Sequence, residues 1–108
     1  MSNRTVTKRE ICETIAEETG NPQIVAKEIV QCFLDRVIDE LADGNRLEFR
    51  NFGVFEIRLQ PARKARNPRT NEVVHVDPKA VVTFKVGKEM GEKAQQALPY
   101  LQKKQRGE

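Results

Sequence analysis

No tryptophan occurs in this chain, and only one histidine and two cysteines are found among its 108 residues. With 38% hydrophobic and 32% charged residues, the chain can bury one modest core, and its length is that of a single domain. No apolar run approaches the roughly 20 residues that cross a bilayer, so no membrane association is expected. The opening "MSNRTVTKRE" lacks the apolar stretch of a secretory signal, and the expectation is a cytosolic protein. Cys12 and Cys32 fall within helical patterns at a spacing that fits no metal motif. They read as small buried hydrophobes in a reducing compartment. His75 has Asp77 two residues away on the same strand face, but no third ligand and no nucleophile–base set accompany them. Catalysis, a metal site and a cofactor are therefore not expected.

A further absence is local. Between Arg58 and Asn71 the chain has no acidic residue but five basic ones, Arg58, Arg63, Lys64, Arg66 and Arg69. The net charge of +3 conceals a division: residues 1–44 carry five bases and nine acids, residues 45–108 fourteen bases and seven acids. A chain polarised in this way offers a polyanion one favourable surface.

The elements follow from periodicity and punctuation. "TKRE" at Thr7–Glu10 is a capping box that opens a first helix, with Ile11, Cys12, Ile15, Ala16 and Thr19 on one face and Gly20 as its stop. Asn21 as N-cap and Pro22 at the first helical position open a second helix, which runs to Asp43 before Gly44. Its apolar residues, from Ile24 to Leu41, cover about half or more of the circumference, which is wide for a helix with one buried face. The period then changes from 3.6 to 2. Leu47 and Phe49 alternate in "RLEFR", "NFG" at Asn51–Gly53 turns the chain, and Phe55, Ile57 and Leu59 alternate in "VFEIRLQ" as its antiparallel partner. "AVVTFKV" supplies a third strand, with Phe84 its largest residue. A last helix opens near Gly87 and is expected to end at Pro99, leaving residues 99–108 as a frayed basic tail. This predicts an α+β fold: two N-terminal helices, an antiparallel three-stranded sheet with a long protruding β-hairpin arm over about 58–76, and a C-terminal helix, all in one domain over 1–98. About eighty residues remain for the core, near the size at which single cores become marginal. With the wide apolar face of the second helix, this argues for an obligate dimer.

The arm has little to bury. Nine residues at about 3.3 Å each would carry its tip about 30 Å outwards, and a lone two-stranded ribbon is marginal in water. Its charge suits a phosphate backbone, and its excess of Arg over Lys suits a narrow, electronegative minor groove. Pro68 at the tip has two readings: ordinary turn chemistry, or an exposed apolar wedge that enters a base step and kinks the duplex. On the second reading Arg66, Asn67 and Arg69 would hold sugars, phosphates or groove-floor acceptors, and prebent, nicked or flexible double-stranded DNA should bind better than stiff DNA.

The motif "ARNPRTNE", with "FRNFGVFEIR" before it and "VVTFKVGKEM" after it, resembles the bacterial histone-like HU and integration host factor family over residues 6–97. Members of this family are themselves the known examples of minor-groove wedge insertion, so the resemblance shares in carrying that reading. It implies an intertwined homodimer or heterodimer whose two arms wrap DNA and compact the nucleoid. It further implies that Pro68 is the intercalating residue, with Arg66 and Asn67 beside it and Arg58, Arg63 and Lys64 on the arm stem. Lys88 matches the family's body lysine at the start of the last helix, whose N-terminus would also suit a phosphate. Lys8 and the Arg50–Asn51 turn would add flanking contacts, and Phe52, Phe55 and Phe84 would be structural. Three departures stand out. Asn71 replaces the usual glycine after Thr70, Gln60 stands where a base is frequent, and the tail with Lys103, Lys104 and Arg106 extends the chain.

Two DNA-binding functions fit: a bender with little sequence preference, of the HU type, or a site-preferring one of the integration host factor type. Structured RNA could also meet a flexible basic arm. A protein-interaction module pairing through its strand edges is a reading from another class, and it predicts affinity that depends little on salt.

Overall fold

A computed structural model describes residues 4–105. The elements are α1 (Lys8–Thr19), α2 (Gln23–Ala42), β1 (Leu47–Phe49), β2 (Gly53–Gln60), β3 (Arg63–Arg66), β4 (Val73–Val76), β5 (Lys79–Val86) and α3 (Lys88–Ala94). A 3-10 turn (Gln95–Ala97) and α4 (Leu98–Gln105) follow. The chain divides into two compact units. One takes in the residues up to Asp39 together with those from Gln95 onward; the other is Glu40–Ala94.

In the first unit, Thr7 caps α1 by accepting the Glu10 N–H at 3.4 Å. The reciprocal half of the expected capping box does not form. The Glu10 carboxylate instead takes the Arg4 guanidinium at 2.8 Å, where a full opposite charge outcompetes a backbone amide. Gly20 ends α1 in the left-handed region, at φ 70°. Helix α2 begins one residue later than the sequence suggests. The Pro22 carbonyl accepts the first helical bonds, from Val25 and Ala26, so Pro22 takes the capping position, while the Asn21 amide turns back to Thr19 Oγ1. Cys12, Ala16 and Ala26 are buried. Cys32, expected to be buried, is exposed.

Helix α2 buries only the middle of its apolar arc, at Ala26 and Leu41. Ile29 is 62% and Phe33 52% exposed on one flank, and Ile24, Leu34 and Ile38 are exposed on the other. The expectation that Pro99 ends the last helix and leaves a frayed tail is also corrected. Helix α3 stops at Ala94, and Pro99 sits in the first turn of the separate helix α4. Proline is tolerated there because a first-turn N–H has no helical partner to lose. Arg106 lies outside the described residues.

In the second unit, β1, β2 and β5 form an antiparallel sheet in the order β1-β2-β5, with Leu47 opposite Phe55 and Phe55 opposite Phe84. Residues of odd number on β2 share one face, and the Phe55 and Phe84 rings meet there at 4.7 Å, with Phe49 and Phe52 at their edges. Much of this apolar face is uncovered: Phe52, Val82, Phe84 and Val86 are exposed, and Leu59 is 73% exposed.

The sheet ends at two prolines that the strand register sets opposite each other. Gln60 pairs with Lys79, and the ladder resumes only at Arg63 opposite Val76. Between them, Pro61 and Pro78 lack the N–H that a ladder needs. Beyond this break β3 and β4 form a separate two-stranded ribbon. The arm is therefore shorter than the 58–76 expected. Arg58 pairs with Val81 inside the main sheet, not on the arm.

Candidate nucleic-acid interface

The ribbon gathers four of the five bases of the acid-free run. Arg63, Lys64, Arg66 and Arg69 are all exposed, and so is Pro68 at the tip. Strand alternation puts Lys64 and Arg66 on one face of β3 and Arg63 on the other. His75 pairs with Lys64 across the ribbon. Among the described residues, no group of three or more His, Cys, Asp or Glu could hold a metal ion.

The tip is built by side chains acting on backbone. The Asn67 N–H donates to the Glu72 carbonyl at 2.9 Å, and the Asn71 N–H donates to the Asn67 carbonyl at 2.7 Å. The Asn67 side-chain oxygen accepts the Arg69 N–H at 2.9 Å, the turn-forming use of asparagine. Thr70 Oγ1 accepts the Glu72 N–H at 3.4 Å. These bonds leave Pro68 projecting from a closed turn. Asn71 adopts φ 62°, so the replacement of glycine by asparagine preserves the turn, as its tolerance of the left-handed region allows. Its side chain also reaches Arg66, a contact the sequence reading missed: Arg66 Nη1 donates to Asn71 Oδ1 at 3.1 Å.

A second group lies where the "NFG" turn meets α3. Asn51 is left-handed, at φ 67°. The Gly87 N–H donates to the Phe52 carbonyl at 2.8 Å, and the Met90 N–H donates to the Asn51 carbonyl at 3.2 Å. Gly87 makes this approach possible, since a Cβ there would lie 2.8 Å from the Asn51 carbonyl carbon. The turn carrying Arg50 and Asn51 is thereby fixed to the helix that begins with Lys88. The same bond revises one expectation: α3 has only seven residues, and the Met90 N–H of its first turn already serves Asn51. An open groove of about 440 Å³ lies beside this junction, lined by Asn51, Phe52, Glu89, Met90, Lys93 and Ala94.

The structure does not gather the remaining two candidates with these. Lys8 donates to Gln31 Oε1 in the helical unit. Arg58 is engaged on the polar face of the sheet, where its Nε and Nη2 lie 3.2 and 3.1 Å from Glu56 Oε2. Arg46 holds the other carboxylate oxygen of Glu56 at 3.2 Å. The hydrogen bonds from Arg58, and after it Arg46, hold the Glu56 carboxyl below its ordinary pKa; partial burial opposes them, while the charges of Arg58 and Lys85 add to the lowering. The sequence carried a signal for the first pair, since residues two apart share a strand face. Arg46 comes from before β1 and is visible only once β1 and β2 are paired.

Comparison with known proteins follows the same outline. The family model described as "Bacterial DNA-binding protein" matches residues 6–95. An HU–DNA cocrystal structure from Anabaena is similar at 30% identity and a TM-score of 0.75, covering 82% of this chain and 97% of that one. An HU point mutant from Thermotoga maritima is similar at 26% identity and a TM-score of 0.61, covering 82% and 99%. The solution structure of a mutant of transcription factor 1 is similar at 28% identity and a TM-score of 0.60, covering 90% and 97%.

Proposed function

The chain belongs to the bacterial DNA-binding protein family, and from that premise we propose that it is a non-enzymatic, dimeric DNA bender with little sequence preference. Two basic arms enter the minor groove, and the Pro68 side chains wedge between base steps. The observation that carries this reading is the ribbon itself: four exposed bases around an exposed proline, beyond a ladder broken by Pro61 and Pro78. Such a ribbon buries too little to be rigid alone. It gains its order from a partner, and its charge selects a phosphate backbone. The ribbon is wider than a minor groove of about 6 Å, so entry requires the groove to open and favours bent, nicked or flexible duplexes. Arg50, Asn51 and Lys88 would grip the flanking backbone, with Arg58 and Lys8 adding contacts. Binding of this kind would compact DNA in the nucleoid.

The dimer is part of the proposal. Both flanks of α2 and the apolar face of the sheet are uncovered, and exposed apolar surface of this extent marks an association site. A second copy, or a related subunit, would cover them.

Fluorescence anisotropy with a labelled duplex of mixed sequence tests the reading. Affinity should fall steeply as salt rises, by a slope of about 0.9 per phosphate neutralised, and should change little when the sequence is scrambled. Preference for one intact sequence would favour a site-selective bender. Tighter binding to structured RNA would redirect the reading to RNA. Salt-independent binding would overturn it in favour of a protein-interaction module.

A further inference from the structure

Position 71 holds its backbone at φ 62°, where glycine is the unstrained choice. Asparagine accepts this conformation at some cost, and its side chain has a specific partner. Arg66 Nη1 donates to Asn71 Oδ1 at 3.1 Å, with a longer approach of 3.4 Å to the Asn71 carbonyl. The Asn71 N–H is itself fixed on the Asn67 carbonyl at 2.7 Å, so the amide that receives the guanidinium belongs to the closed frame of the tip. A guanidinium has five N–H donors. The two on Nη1 face Asn71, which leaves the three on Nε and Nη2 for phosphate or groove acceptors.

We infer that Asn71 is a positioning residue of the DNA interface: its amide oxygen holds the Arg66 guanidinium in place two residues from Pro68, so that this cation meets DNA already oriented. The inference rests on the DNA-binding reading above and adds to it a residue that acts through Arg66. Its basis is entropic. A free arginine on a mobile ribbon must be ordered on binding, and ordering one rotamer-rich side chain costs about two- to tenfold in affinity. The Asn71 amide meets part of that cost before DNA arrives, and it does so without using the donors that DNA needs.

The test is a double-mutant cycle on the full chain, with a labelled nicked duplex as the probe. Asn71→Gly keeps the left-handed backbone and removes the amide, so the circular-dichroism spectrum should remain that of the wild type. Its affinity should fall by about two- to tenfold. Its salt slope should stay that of the wild type, because Arg66 still neutralises its phosphate. Arg66→Ala should flatten that slope by about one. In the Arg66→Ala background, Asn71→Gly should cost nothing more. An equal loss in both backgrounds would show that the glycine merely loosens the tip and would overturn the inference. So would wild-type affinity for Asn71→Gly alone. If the wild-type protein itself shows no salt-dependent binding to the duplex, the DNA-binding reading fails, and this inference fails with it. An additive cycle on a protein that does bind overturns the positioning role alone.

Discussion

Phe52 is where the dimer proposal can be tested most sharply. Its ring meets Phe84 at 5.9 Å and Phe49 at 6.3 Å, yet the residue remains 48% exposed. Burying a phenylalanine side chain fully stabilises by about 1.5–3 kcal/mol. Covering the exposed half against a second copy would therefore contribute about 0.7–1.5 kcal/mol. A twofold interface buries the residue twice, so Phe52→Ala should cost the dimer about 1.5–3 kcal/mol, or roughly 10- to 150-fold in dissociation constant. Sedimentation equilibrium over a range of protein concentrations gives that constant directly. The substitution also removes ring contacts within one chain, but that loss does not depend on concentration, whereas the dimer term does. A wild-type chain that sediments as a monomer at micromolar concentration would refute the reasoning. A Phe52→Ala chain that dimerises as tightly as wild type would refute the assignment of this face to the interface.

Further expectations follow from the arm and the sheet. Pro68→Ala should retain most of the affinity for linear DNA while reducing the bend, measured by energy transfer between duplex ends; equal bending would remove the wedge from the account. Glu56→Gln should steepen the salt dependence of binding, because Arg58 and Arg46 lose their shared carboxylate and can turn to phosphate; an unchanged slope would mean that these arginines stay away from DNA. The same variant has a pH signature. Arg58 and Arg46 hold the native Glu56 carboxyl below its unfolded value, so its stabilising contribution is present above the ordinary carboxylate range and is lost as pH falls through the depressed native value. Acid-denaturation curves of Glu56→Gln should lack that part of the loss, and curves superimposable on wild type would show that the pairing adds nothing to stability.

Much of this architecture was legible because local signals agreed with one another. Thr7, Gly20 and Gly44 punctuate the helices, alternation locates β1, β2 and β5, and the run of bases without acids marks the ribbon. The features that were missed depend on what the chain does in space. Nothing in the alternation of Phe55, Ile57 and Leu59 reveals that the ladder breaks just beyond them, because the break depends on a register that sets Pro61 opposite Pro78. Pro99 reads as a stop when only the helix before it is considered; in the structure it sits in the first turn of α4, where proline is equally at home. Cys32 reads as a core residue from its type, but burial is a property of neighbours, and the neighbours of α2 and the apolar sheet face are proposed to lie on a second chain. Asn71 was read correctly as a turn residue, but its hold on Arg66 required the register of β3 against β4.

The central claim is that an exposed basic arm tipped by Pro68 bends DNA without needing a particular sequence. The most direct measurement is energy transfer between the labelled ends of an intact duplex, a nicked duplex and a sequence-scrambled control, titrated with the full chain over a range of salt. The account predicts tightest binding to the nicked duplex, ends drawn together on all three, and affinity that falls steeply with salt. Binding with no change in end-to-end transfer on any duplex would contradict it.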